Sequence, residues 1–483
     1  MTDRPPLPAT SRTPASTCAP PRSTSRTPVL WIACAAQFMV ILDVSIVNVA
    51  LPQVRSALGL SPSGLQWIVN AYTLAFAGLL LLGGRLADLI GAKRAFTVGL
   101  TAFTAASLVC GLATDGSLLV AARAAQGLGG ALLAPATLTL IMTTFTEPGP
   151  RTRAMGAWSA VMAGGGAAGA VLGGVLTEYA GWRWVFFVNV PIGIALLAAT
   201  IPLVPASART GGGRRLDLPG ALAATGGLTL LTYGIVATET HPWDSPTVWA
   251  PVAAAVALLL AFLAVERRAT QPLVPPDVLR RPLLALANAT VFTLGAAMFA
   301  MWFLLSLYFQ QVLGYSPLKA GLAFVPGALA IIAGARAATR LIPRTGPGRL
   351  AATGMVLATA GFAWLSRITP DSSYGADVLL PFVLCTLGMG LSTMPLTVAA
   401  TSGTAREEAG LASGLVNTSR QVGGALGLAV LASIASHTTA GHHGTVAQAA
   451  TAGYARALLT AAAFTALATL LALALPRRRP ARP

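Results

Sequence analysis

The chain has 483 residues, of which 55% are hydrophobic and 10% charged, with 50 glycines. A soluble domain carries about 25% charged residues, so the composition excludes one, and apolar runs near the roughly 20 residues needed to cross a hydrocarbon core recur along the chain. The net charge of +17, from 32 Lys and Arg against 15 Asp and Glu, would suit a nucleic-acid binder, but the basic residues sit in short connections between apolar runs, where they act as topology signals.

Residues 1–28 hold seven prolines, four arginines and few apolar side chains, and are expected to form a disordered tail. The apolar stretch 30–52 is too long for a signal-peptide core and no small-residue cleavage site follows it, so it reads as an uncleaved first span. Further apolar segments fall at 65–84, 95–113, 118–141, 154–177, 184–204, 219–237, 247–265, 285–311, 320–341, 350–368, 378–400, 409–434 and 455–475, which predicts fourteen spans. With the N-terminus inside, the inner connections and span ends hold 25 of the Lys and Arg residues and the outer ones five, while Arg123 and Arg420 fall within spans. That asymmetry predicts both termini in the cytoplasm. Cys18, Cys34, Cys110 and Cys385 lack paired spacing and read as packing residues. His437, His442 and His443 are expected in a solvated outer loop, and no metal site or bound cofactor is expected.

An internal repeat is visible. Shifting the fifth span by 254 residues lays Gly156, Gly169 and Gly173 on Gly410, Gly423 and Gly427, and a shift of 250 lays Gly84 on Gly334. Two six-helix halves related by an axis along the membrane normal are a recurrent transporter plan. The predicted fold is therefore an all-α polytopic membrane protein with a tail (1–28), an N-terminal six-helix half (29–204), a linker with two extra helices (205–284), a C-terminal six-helix half (285–475) and a basic tail (476–483).

Five motifs follow one another on that plan. Span 1 carries Leu42-Asp43-Val44-Ser45-Ile46-Val47-Asn48-Val49-Ala50-Leu51-Pro52, and the turn after span 2 reads Gly84-Arg85-Leu86-Ala87-Asp88-Leu89-Ile90-Gly91-Ala92-Lys93-Arg94. Span 4 carries Arg123-Ala124-Ala125-Gln126-Gly127-Leu128-Gly129; the stretches Trp182 to Pro191 and Leu307 to Pro317 complete the set. Together they resemble the major facilitator superfamily, in particular its fourteen-helix drug:proton antiporter branch, from about Leu30 to Leu475. The resemblance implies proton-coupled export of drugs or antibiotics. Two positions depart from the pattern: Leu89 stands where a basic residue is usual, and Ala170 follows Gly169 where the antiporter motif of span 5 has proline, although Gly165, Gly169, Gly173 and Gly174 remain.

Ionisable groups inside a bilayer cost several kcal/mol and mark function. At about 1.5 Å per residue, Asp43 lies about 14 Å and Arg123 about 8 Å from the outer ends of their spans, so the two are expected to meet. Burial raises a carboxyl's pKa while a guanidinium lowers it, and a balance of the two suits a proton carrier; a permanent ion pair that only positions helices is the other reading. Helical spacing groups Gln66, Asn70 and Thr73 on span 2, Arg123 with Gln126 on span 4, and Asn417, Arg420 and Gln421 on span 13 as candidate cavity lining, with interhelical hydrogen bonding as the plainer role. Met301, Trp302 and Tyr308 form a soft aromatic stripe suited to an amphipathic drug, with a lipid-facing or packing role as the equal alternative. Gly84, Arg85, Asp88, Gly91, Lys93 and Arg94 form a candidate cytoplasmic gating loop, with Asp88 placed to meet the dipole of the next helix; a topology signal alone is the other reading.

The expected function is proton-coupled export of small amphipathic organic molecules across the cytoplasmic membrane by alternating access, with a proton-linked metabolite importer or facilitator as the alternative. Clustered acids or histidines for a membrane enzyme are absent from the sequence pattern, so no catalysis is expected. The expected partners are a small organic substrate and the lipid bilayer, with protons as coupling ion, no nucleic acid, and a monomeric state. Neutral, monocationic or weakly anionic substrates are expected, with Arg420 available to a carbonyl or an acid group.

Overall fold

A computed structural model of the chain describes residues 26–205, 217–269, 281–402 and 409–475. They form fourteen helices of spanning length: α1 (Arg26–Leu58), α2 (Pro62–Ile90), α3 (Ala92–Leu112), α4 (Gly116–Thr144), α5 (Pro148–Tyr179), α6 (Trp184–Leu203), α7 (Leu218–Ala237), α8 (Pro246–Arg268), α9 (Pro282–Val312), α10 (Pro317–Thr345), α11 (Pro347–Leu365), α12 (Tyr374–Thr401), α13 (Ala409–Gly441) and α14 (Val446–Leu473). Thirteen of them are apolar enough to cross a bilayer by composition alone. The other, α11, carries Arg349 near its start and spans by virtue of its place between α12 and α14.

Local chemistry sets the helix starts. Proline opens α2, α7, α8, α9, α10 and α11, where its missing N–H costs nothing. Side-chain oxygens cap several starts, among them Ser61 (from Gly64 N, 3.1 Å), Asp115 (from Leu118 N, 3.0 Å) and the reciprocal Thr445–Gln448 pair of α14. Peripheral helices leave large apolar side chains outside, as with Leu260 on α8 and Leu470 on α14, the inverse of a soluble surface.

The packing repeats between halves. Helix α1 packs on α5, and α2 and α3 both pack on α4; α9 packs likewise on α13, and α10 and α11 on α12. The contacts are made at glycines. Gly169 and Gly173 lie against the Leu42 and Ile46 carbonyls of α1, as Gly423 and Gly427 lie against Phe292 and Ala296 of α9, which is what the 254-residue repeat expects. The second offset is corrected by one residue: Gly83, against the Ala131 carbonyl, is the counterpart of Gly334, against the Leu387 carbonyl, while Gly84 faces Pro135. The halves meet through α2 with α13 and α5 with α10, and the hairpin α7–α8 leans on α2 and α13.

Three further expectations change. Helix α1 begins at Arg26, whose Nη1 pairs with Glu147 at 2.9 Å, so helix starts inside the stretch expected to be tail. The stretch 84–90 is the end of α2 rather than loop, and only Gly91, at φ 90°, breaks the chain before α3; Gly346, at φ 79°, does the same between α10 and α11. His437 lies on α13, and only His442 and His443 fall in the connection beyond it. Cys34, Cys110 and Cys385 are free and buried, whereas Cys18 and the expected tails at 1–25 and 476–483 lie outside the described residues.

Candidate functional site

Asp43, at the middle of α1, is fully buried and receives three donors. Arg123 Nη1 of α4 pairs with Oδ2 at 2.5 Å, Gln126 Nε2 donates to Oδ1 at 2.7 Å, and Asn189 Nδ2 of α6 donates to Oδ1 at 2.9 Å. Arg123 is 2% exposed and its other bonds are inward: Nη1 also reaches Gln126 Oε1 (2.7 Å) and Nε reaches the Ile68 carbonyl of α2 (3.2 Å). Gln126 completes the set with a donation to Ser107 Oγ on α3 (2.8 Å). One carboxylate thus ties α1 to α4 and α6, and through its arginine to α2. An ion pair at this depth is stable only with such satisfaction of its remaining lone pairs and protons.

The guanidinium lies over the Tyr72 ring, 4.4 Å from its centroid. Tyr72 in turn lines a central cavity of about 1310 Å³ between the halves. One ring therefore separates the buried pair from the cavity. The cavity wall is mainly apolar and aromatic, with Phe76 of α2, Trp158 and Met162 of α5, and Met298, Phe299 and Trp302 of α9. Its polar points include Gln37, Asn48, Asn417, Arg420 and Gln421. Arg420 Nη2 donates to Asn417 Oδ1 at 2.6 Å. No Asp or Glu is among the described residues of the wall, and its charged side chains are Arg85 and Arg420.

The cavity extends to Gly84, Arg85 and Leu89 at the end of α2 and Leu411 at the start of α13, the membrane face at which α1 begins. The opposite end is closed by bonds between halves: Ser306 Oγ to the Asn48 carbonyl (2.6 Å), Gln310 Nε2 to the Val49 carbonyl (3.0 Å) and the Leu318 amide to Glu178 Oε2 (2.8 Å). Beneath them α5 and α10 touch backbone to backbone, Gly174 against Pro317 and Leu318, and Gly321 against the Ala170 carbonyl.

Against the expected lining, Trp302, Asn417, Arg420 and Gln421 face the cavity and the others do not. Gln126 belongs to the Asp43 network. Gln66 donates to Glu239 in the α7–α8 connection; Asn70 is fully buried with neither amide atom paired; and Thr73 bonds back to the Val69 carbonyl at 2.9 Å. Met301 is packed in the core, and the Tyr308 hydroxyl donates to the Thr369 carbonyl at 2.8 Å at the closed end. The α2 stripe is on one face as its spacing says, but that face meets α13 and the inserted hairpin, because a helix of a closed bundle has several buried faces.

In the expected gating loop, Gly84 and Arg85 reach the cavity mouth. Lys93 Nζ instead caps the end of α6, donating to the carbonyls of Ile201 (2.8 Å) and Val204 (2.6 Å), and Arg94 is exposed. Asp88 has its backbone in the last turn of α2, not at the start of α3, and its side chain lies outside the described set. Of the span-5 glycines, Gly165, Gly169 and Gly173 seat α5 on α1, and Gly174 seats it on α10. Asn189 is the third Asp43 partner that sequence reasoning left unnamed; its place inside the Trp182–Pro191 motif is the signal that marks it.

Residues 33–428 match the family model described as Major Facilitator Superfamily. The chain is 47% identical over 423 residues to the cephamycin export protein CmcT of Amycolatopsis lactamdurans, covering 87% of each chain. It is 43% identical over 442 residues to the puromycin resistance protein pur8 of Streptomyces alboniger, covering 90% of this chain and 87% of that protein. Against the tetracenomycin C resistance and export protein of Streptomyces glaucescens it is 34% identical over 404 residues, covering 84% and 75%. Among solved structures, a bacterial homologue of the human lysosomal transporter Spinster shares its fold with a TM-score of 0.65 at 14% identity, over 94% of this chain and 97% of that one.

Proposed function

The chain belongs to the major facilitator superfamily of membrane transporters, and on that premise we propose that it exports small amphipathic organic molecules, antibiotics among them, in exchange for protons by alternating access. Two relatives are export proteins and a third a resistance protein by name, which supports the outward direction over a metabolite importer. The excess of basic residues on the face where α1 begins supports a cytoplasmic position for that face, and with it a cavity open to the side from which an exporter loads.

The observation that carries the reading is the buried Asp43–Arg123 pair set behind Tyr72 at the back of the cavity. Protonating Asp43 removes the charge that holds Arg123 and replaces an acceptor lone pair by a donor. Arg123 then keeps only Gln126 and the Ile68 carbonyl, and the tie between α1 and the α2–α4 pair slackens. Tyr72, on α2 and stacked on that guanidinium, carries the change to the cavity wall. Substrate bound against the same wall biases the same tie, so proton and substrate act on one element from opposite sides. A proton entering down 100 mV supplies about 2.3 kcal/mol, roughly a fiftyfold gradient of neutral substrate.

Inside-out membrane vesicles test the direction and the coupling together. Acidifying the lumen is expected to drive accumulation of a neutral fluorescent drug, and collapse of the pH gradient to release it. Accumulation that ignores the gradient, or accumulation only in right-side-out vesicles, would overturn the proposal.

A further inference from the structure

Glu239 lies in the connection between the two inserted helices and takes no part in the site above. Gln66 Nε2 of α2 donates to its Oε1, and Ser433, Ser436 and His437 of α13 stand beside it. It therefore bridges the outer ends of α2 and α13, one helix from each half, at the seam where the halves touch. Helix α7 fastens this hairpin to α2, with Tyr233 and Trp67 ring centroids 6.3 Å apart.

The polar atoms around the carboxyl are incompletely matched. Gln66, 1% exposed, has its Oε1 without a donor, Ser433 Oγ is buried without a partner, and Asn70 one turn along has both amide atoms unpaired. A carboxylate only accepts, whereas a carboxylic acid also offers an O–H. A neutral Glu239 can accept from the Gln66 amide and return its own hydrogen to the amide oxygen, an acceptor that the charged form leaves bare.

We propose that Glu239 is a second proton-binding group of the transporter, delivered by the inserted helices to the outer α2–α13 seam, and that its protonation holds that seam closed. This rests on the alternating-access reading, and it extends that reading to the outer gate. Burial in the closed seam pushes the Glu239 carboxyl above its usual range, opposed by the Gln66 and Ser436 side chains, the charge of His437 and the Ser433 hydroxyl. A group whose pKa rises on closing binds its proton more tightly in the closed state, so acid favours closure and the bias is lost as pH rises through the raised value. External acid then promotes the outward-to-inward step, the direction in which an importing proton must travel. Among the described residues, His437 on α13 is the titratable group facing Glu239 from a packed helix; Gln66 presents none from α2, and His241 and Asp244 share its own connection.

Spin labels at Ser56→Cys on α1 and Ala440→Cys on α13, in a cysteine-free full-length background in nanodiscs without substrate or gradient, report the outer gap by dipolar distance. Lowering the pH from mildly alkaline to mildly acidic is expected to raise the closed-to-open ratio by about tenfold, the equivalent of one pKa unit between the states. With Asp43→Asn in every sample, so that the other proposed proton site is silent, Glu239→Gln is expected to remain closed with no pH response, and His437→Gln to keep the response. A wild-type response in Glu239→Gln, or its loss in His437→Gln alone, would overturn the proposal. Should Glu239→Gln fail to fold, Glu239→Asp serves: it is expected to keep a displaced response, and an unchanged midpoint would count against the role. Failure of proton-coupled export shows instead in gradient-driven transport, which this measurement does not use.

Discussion

At the scale of single residues, the proposed coupling divides between Asp43 as the proton site and Tyr72 as the ring that meets the cavity. Tyr72 has no hydrogen-bond partner for its hydroxyl, so its contribution is the ring: one side under the Arg123 guanidinium, the other on the cavity. A desolvated cation–π contact is worth about 2 kcal/mol. Tyr72→Phe is accordingly expected to transport like the wild type, while Tyr72→Leu is expected to lose at least tenfold in gradient-driven export yet still bind substrate; equal export by the two variants would remove Tyr72 from the relay. The cavity wall also constrains the cargo. Asp43 does not reach the cavity, and Arg420 puts a cation on the described wall with no carboxylate among its described neighbours there. Unpaired charge at low dielectric is costly, so neutral and weakly anionic compounds are expected to compete better than cations of equal size, and dications worst. Arg420→Leu should narrow that difference, and tight dication binding to the wild type would contradict it. The buried pair was legible in the sequence because a charge inside a bilayer is conspicuous by itself. The cavity lining was not, because Gln66, Asn70 and Thr73 share a face whose neighbour only the assembled bundle reveals.

At the scale of helices, the span-5 glycines divide between two tasks that their shared spacing hides. Gly165, Gly169 and Gly173 seat α5 permanently on α1 within one half, but Gly174 closes on α10 across the seam. A Cβ at position 174 would stand 2.8 Å from both Leu318 Cα and the Pro317 carbonyl, backbone that cannot step aside. Gly174→Val is therefore expected to leave the protein in the membrane but hold the outer side open, slowing turnover by an order of magnitude or more. Reaction of an outer-seam thiol with an impermeant reagent should speed up in that variant, and unchanged reactivity would show that α5 and α10 are not the gate. Ala170 belongs to the same contact, its carbonyl meeting Gly321; α5 runs from Pro148 to Tyr179 as one helix without an interior proline. Helix number and order were legible from apolar length, and the repeat from glycine spacing. The end of α2 was not, because Gly83 and Gly84 look like turn residues although the helix runs through both, with Gly83 packed closely on α4, leaving Gly91 to make the break at positive φ.

For the whole molecule, the two halves pack along α2 with α13 and α5 with α10, and among the described residues the side-chain bonds between α1 or α5 and α9 or α10 gather at one end. Bonds from Ser306, Gln310 and Leu318 close the end opposite the start of α1, while the other end opens on a cavity large enough for a drug. The Asp43 network lies wholly within the N-terminal half, tying α1 to α2, α4 and α6, so under the proposed coupling protonation acts within one half without crossing the seam. Removing the proton site should therefore uncouple transport from the gradient and leave the rocking itself possible. Purified protein in liposomes, wild type and Asp43→Asn side by side, measures this most directly, with drug exchange followed both at equal pH and under an imposed pH gradient. The expected result is that the gradient drives accumulation in the wild type alone, while both forms exchange drug at equal pH. Gradient-driven accumulation by Asp43→Asn at the wild-type level would contradict it.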